Sequence, residues 1–189
     1  MAIKIGIVVV LVLIVGVFAF ISTRPENFRV ERSAQINAPA EVVFALINDF
    51  HQWGQWSPYE KLDPNMTKSF EGPVSGPGAS YAWSGDKSGA GRMTIVESKP
   101  GERVSLKLEF FKPFEATNMT TFTLVTSGTG TRVSWVMEGK NSVMAKALSA
   151  FMDMDAMVGK DFEQGLAHLD TAAQAEARKL GQTAAASVP

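Results

Sequence analysis

The sequence predicts an α+β domain in which a curved seven-stranded antiparallel sheet surrounds a long C-terminal helix, preceded by one transmembrane helix. Three observations predict it. Ile5 to Ile21, IGIVVVLVLIVGVFAFI, contains no charged side chain. Seven later stretches between Phe28 and Glu138 have strand character, several alternating clearly, and they are divided by Gly- and Pro-rich turns. From Ala147 to Leu169 an apolar stripe then recurs at three- and four-residue steps.

As a helix, the Ile5–Ile21 run would rise about 25 Å, near the roughly 30 Å of a hydrocarbon slab. Ala2, Ile3 and Ser22 extend it, and Lys4 can reach the interface. It reads as a retained single-pass anchor through residues 3–22. A cleaved leader is the rival reading, but Phe20 and Ile21 carry the apolar run past the weak site at Val17-Phe18-Ala19. Lys4 on one side and Arg24, Arg29 and Arg32 on the other leave the side of the domain open. The expected organisation is an anchor and flank over 1–25, a ligand-binding domain over 26–178 and a flexible tail over 179–189.

The residues after Pro25 carry 16 Lys and Arg against 19 Asp and Glu, a formal charge of −3. That balance offers no broad cationic face, so nucleic acid is not an expected partner. The chain has no Cys, which excludes disulfides and sulfur-ligated metal within it.

Phe28 to Ile36 is the first strand, with Phe28, Val30, Ala34 and Ile36 on one face and Arg32 breaking it. Asn37-Ala38-Pro39 opens a helix, Asn37 as cap, with Val42, Val43, Leu46 and Ile47 as its stripe. His51 to Ser57 is a short helical turn stopped by Pro58. Six strands follow at Thr67–Glu71, Ala79–Ser84, Arg92–Ser98, Val104–Phe111, Thr117–Thr126 and Thr131–Glu138. Leu106, Leu108 and Phe110 share a face, as do Val133, Trp135 and Met137, while Ser105, Lys107 and Glu109 look to water. The last element is a helix from Val143 to about Lys179. It is the only piece long and apolar enough to cover the sheet, and a grip of this kind can leave a cavity.

Four segments together carry a resemblance. They are Asp49-Phe50-His51-Gln52-Trp53-Gly54-Gln55-Trp56-Ser57-Pro58, then Gly78 to Gly85 with Gly89 to Ile95, then Gly130-Thr131-Arg132-Val133-Ser134-Trp135, and Gly159 to Leu166. In this order they resemble bacterial polyketide cyclase/dehydrase-like proteins of the START-like (SRPBCC) superfamily, from about Phe28 to Arg178. The resemblance implies a helix-grip fold with a hydrophobic tunnel between sheet and helix. Its relatives bind lipids, sterols, polyketides or other apolar molecules, and a few are enzymes.

The candidate ligand-lining residues follow from faces and spacing. Trp53 and Trp56 are either a gate at the tunnel mouth or core. Tyr81 and Trp83 share a strand face and join apolar area to a donor. Met93 and Ile95, then Leu106, Leu108 and Phe110, and then Trp135 would continue the wall. Phe151, Met154 and Val158 lie on the helix face that meets the sheet. Asp155 stands at the stripe's margin, where it could orient a ligand hydroxyl or pair with an inward Arg, with Arg92 and Glu60 as possible partners.

No catalytic set is expected. His51 and His168 are 117 residues apart and carry no metal-ligand spacing. No phosphate loop or nucleophile elbow occurs, and no cofactor is implied. The expected function is membrane-tethered binding or transport of a hydrophobic small molecule or lipid, by a protein more binding than enzymatic. The alternatives are a polyketide cyclase or hydratase using Tyr81, Asp155 or His51 for proton transfer, and a protein-binding envelope module.

Overall fold

The computed structural model describes residues 2–63, 65–148 and 153–186. Helix α1 spans Ala2–Thr23, and strand β1 spans Asn27–Ile36. Helix α2 (Ala40–Asn48) is followed by two 3₁₀ turns, Phe50–Gln55 and Pro58–Lys61. The remaining strands are β2 (Thr67–Glu71), β3 (Ser80–Gly85), β4 (Gly89–Lys99), β5 (Arg103–Lys112), β6 (Ala116–Ser127) and β7 (Gly130–Lys140). Helices α3 (Val143–Leu148) and α4 (Met154–Ala186) close the chain. The expected single helix from Val143 is therefore two helices, and the second continues past Lys179.

The strands form one antiparallel sheet in the order β1-β7-β6-β5-β4-β3-β2. The long closing helix packs on it, resting mainly against β1 and α2. The expected curvature is corrected. The sheet is open, with β1 and β2 as unpaired edges, rather than strongly curved or closed. Its local irregularities are two register shifts between β4 and β5, at Ala90/Gly91 and Ile95/Glu97. The hairpin turns obey simple backbone chemistry: Gly89 and Gly128 sit at φ +66° and +61°, where a side chain is disfavoured.

The membrane anchor is also corrected. Among the described residues, no helix is long and apolar enough to cross a membrane. Helix α1 forms over Ala2–Thr23. It ends against the protein's own groups. The Arg24 guanidinium lies 4.2 Å above the Phe20 ring, and α1 meets α3. A transmembrane helix ahead of the fold, a membrane partner through residues 3–22, a membrane-tethered function and a single-pass membrane localisation are accordingly not retained.

The α2 region shows how local chemistry sets the site. The expected cap, Asn37, does not cap α2. Its backbone N–H and side-chain amide donate to Asp170 on α4, at 2.7 and 3.3 Å, and Pro39 occupies the cap position. At the other end the last carbonyls of α2 have no partner within the helix. Trp53 Nε1 donates to Ile47 O at 2.9 Å and Trp56 Nε1 to Leu46 O at 3.1 Å. These two bonds fold the first 3₁₀ turn back under α2 and bury both indoles.

Candidate functional site

Register places inward side chains in rows across the sheet. One row runs Phe70, Tyr81, Met93, Leu108, Asn118, Gly139 and Phe28, from edge β2 to edge β1. Trp83, Gly91 and Phe110 form the next row toward the strand ends. Four residues away on the other side lie Val104, Phe122 and Trp135. Here the sheet is filled: Trp135 stacks on Phe162 of α4 at 4.0 Å and 9°, and Trp56 meets Phe122 and Trp135 edge-on. Gly165 allows the approach, since a Cβ there would lie 2.7 Å from Trp135 Cζ3.

Above the Met93–Leu108 row lies a cavity of about 1390 Å³. Its walls are mostly apolar. Trp83, Met93, Leu108, Phe110 and Met137 come from the sheet, with Tyr81 and Trp53 beside them, and Met154, Met157 and Val158 come from α4. Trp83 and Phe110 meet edge to face at 5.9 Å. Gly91 lies beneath that pair, and a Cβ there would strike the Trp83 ring.

Of the sequence candidates, Trp53, Tyr81, Trp83, Met93, Leu108, Phe110, Trp135, Met154 and Val158 line this cavity. Trp56, Ile95 and Leu106 do not; they are at most 1% exposed and belong to the solid core. Phe151 lies outside the described residues. Asp155 is not among the residues that line the cavity. It pairs with Arg32 at 3.1 Å rather than with Arg92 or Glu60. Arg32 also donates to Glu163 at 2.9 Å and to the carbonyls of Glu31 and Asp155. Its guanidinium crosses Gly159, where any Cβ would collide with it. This fork fixes the start of α4 to the β1 edge.

Polar side chains make up less of the cavity wall than apolar ones. Tyr81, 4% exposed, donates its hydroxyl to Glu60 Oε1 at 2.8 Å, and Glu60 also pairs with Lys68. Burial first, then the bond to Glu60, holds the Tyr81 phenol well above the usual phenol range. It is therefore a proton-bearing group throughout the physiological range. Trp83 Nε1 donates to Ser88 O at 3.1 Å. Asp63 secures the turn that carries Ser88, accepting the backbone N–H groups of Lys87 and Ser88 at 2.9 and 3.3 Å. Those bonds hold its carboxyl below the usual carboxylate range.

The other proton-transfer candidates are not assembled. His51 Nδ1 lies 2.8 Å from Asp49 Oδ1 and its ring stacks on Phe70 at 4.2 Å, beside a separate recess of about 170 Å³. Among the described residues, no three His, Asp or Glu are grouped to hold a metal ion. Sequence reasoning missed Asp63 altogether and saw Glu60 only as a partner for Asp155. Neither belongs to a periodic pattern. Asn118 and Thr120 could have been found, because they share the phase of Phe122 and Leu124 on β6 and are buried with them.

The family model described as polyketide cyclase/dehydrase and lipid transport matches residues 27–174. Nothing among curated proteins matches the chain. Solved structures share the fold. A protein from Chromobacterium violaceum is 21% identical, with 78% of this chain and 96% of that one covered at a TM-score of 0.55. The Aha1 dimer from Colwellia psychrerythraea is 14% identical, covering 77% and 95%, also at 0.55. CalU16 from Micromonospora echinospora is 15% identical, covering 84% and 91% at 0.51. At these identities the likeness speaks for the architecture alone.

Proposed function

This chain belongs to the polyketide cyclase/dehydrase and lipid transport family, and we propose that it binds or carries a hydrophobic small molecule or lipid in the cavity between its sheet and α4. The observation that supports this reading is the cavity itself. At about 1390 Å³ it exceeds the roughly 300–1,000 Å³ of ordinary small-molecule sites, which suits an extended or polycyclic occupant. Aromatic and Met side chains dominate its wall. Rings supply flat contact area and Met adapts to irregular shapes, so affinity would come from apolar burial, at about 25 cal/mol per Å² removed from water.

The candidate ligand contacts are Trp53, Tyr81, Trp83, Met93, Leu108, Phe110, Trp135, Met154 and Val158. Binding without chemistry is the preferred form of the proposal. Of Tyr81, His51 and Asp155, only Tyr81 borders the cavity, and its proton is directed at Glu60. A cyclase or hydratase would therefore have to work through the Tyr81–Glu60 pair, which is the observation that favours that second reading. Gentle purification followed by native mass spectrometry tests the first. Retention of an apolar molecule, displaced by N-phenyl-naphthylamine, is expected. A protein that carries nothing and leaves the dye unenhanced would contradict it.

A further inference from the structure

Apolar burial does not explain the carboxylates that border the cavity, on Glu60, Glu115, Glu138 and Asp161; Glu115 and Glu138 are exposed, whereas Glu60 is set into the wall. Glu60 lines the cavity, and only 9% of its side chain is exposed. A carboxylate offers about four acceptor positions. Tyr81 occupies one on Oε1, and Lys68 stands against Oε2. Acceptor capacity therefore remains on a charged group set in an apolar wall.

The ring donors of Tyr81, Trp53 and Trp83 are already committed. The Tyr81 hydroxyl is directed at Glu60, Trp53 Nε1 at Ile47 O and Trp83 Nε1 at Ser88 O. Trp135 Nε1 has no partner, but it is sealed by its neighbours, with under 1 Å² exposed. The wall's other hydroxyls, on Ser57, Tyr59, Ser88, Thr117, Thr120 and Ser142, can donate or accept. Among the cations that border the cavity, Arg29 is held by Glu31 and Glu138, and Lys112 and Lys140 are exposed residues.

We propose that the cavity selects an apolar molecule bearing a hydrogen-bond donor, a hydroxyl or an amine, placed against Glu60, and disfavours one ending in a carboxylate. This rests on the ligand-binding reading above. A hydroxyl uses the vacant acceptor positions, and hydrogen bonds to a charged group are among the stronger ones. A carboxylate in the same place meets a like charge where water cannot screen it.

The test uses the full chain loaded with N-phenyl-naphthylamine and displaced by dodecanol, dodecylamine or dodecanoate, which share one alkyl length. The alcohol and the amine should bind about tenfold tighter than the acid. Glu60→Gln should bring the three within about twofold of one another. Lys68→Met, at a more exposed position, should leave the fold intact and widen the preference against the acid. Equal binding of acid and alcohol, or a preference unchanged in Glu60→Gln, overturns the assignment while dye binding keeps the cavity reading alive. Failure of the dye to bind overturns both.

Discussion

Two rows of one sheet, four residues apart along the same strands, meet different fates. Val104, Phe122 and Trp135 are covered and at most 2% exposed, although Trp135 also borders the cavity. Met93, Leu108 and Asn118 border space. The strands are continuous through both rows, so the difference lies in what covers them. Over the first row α4 brings Phe162, with Gly165 letting it settle on Trp135, and the first 3₁₀ turn brings Trp56. Over the second, α4 brings Met154, Met157 and Val158, with Phe162 also bordering the cavity. A sheet face is made core or wall by the volume delivered from the opposite layer.

The comparison can be broken at its filled end first. Phe162→Ala should cost about 3–5 kcal/mol in denaturant unfolding, because it leaves a void beneath Trp135. A loss under about 1 kcal/mol would mean that the row is not solid. Gly165→Ala should cost about 1–3 kcal/mol, since its Cβ must push Trp135 and Pro58 aside. At the hollow end the expectation reverses. Leu108→Trp should fill space instead of creating strain, changing stability by less than about 1.5 kcal/mol while weakening dye binding about tenfold or more.

The smallest effect concerns the turn that holds Ser88 and Trp83 at the hollow end. Asp63 has a lowered folded pKa, so its contribution is present above the unfolded carboxylate pKa and is lost as pH falls through the folded value. Asp63→Asn should be less stable than the unmodified protein at neutral pH. The gap should close on acidification below the usual carboxylate range. A gap that stays constant with pH would assign the effect to shape rather than charge.

The sheet was legible because its strands repeat at two residues and its turns are rich in Gly and Pro. All seven strands lie within a few residues of where periodicity puts them. Wall residues were less legible. Met93 and Ile95 are in the same phase of β4, as Leu108 and Leu106 are on β5, yet one of each pair borders the cavity and the other is core. Alternation assigns a face and is silent on what stands opposite. The polar contacts were least legible, because Glu60, Asp63 and the Arg32–Asp155 pair join distant segments without a local pattern. The N-terminal run misled for a related reason: composition suggested a span, whereas among the described residues no helix is long and apolar enough to cross a membrane.

The central claim is that the space above the Met93–Leu108 row is real and open to an apolar guest. A crystal structure of the full chain grown with N-phenyl-naphthylamine tests it most directly. The account predicts the dye between Trp83, Met93, Leu108 and Phe110 on one side and Met154 and Val158 on the other. Those side chains closed upon one another, with the dye absent or bound elsewhere, would contradict it.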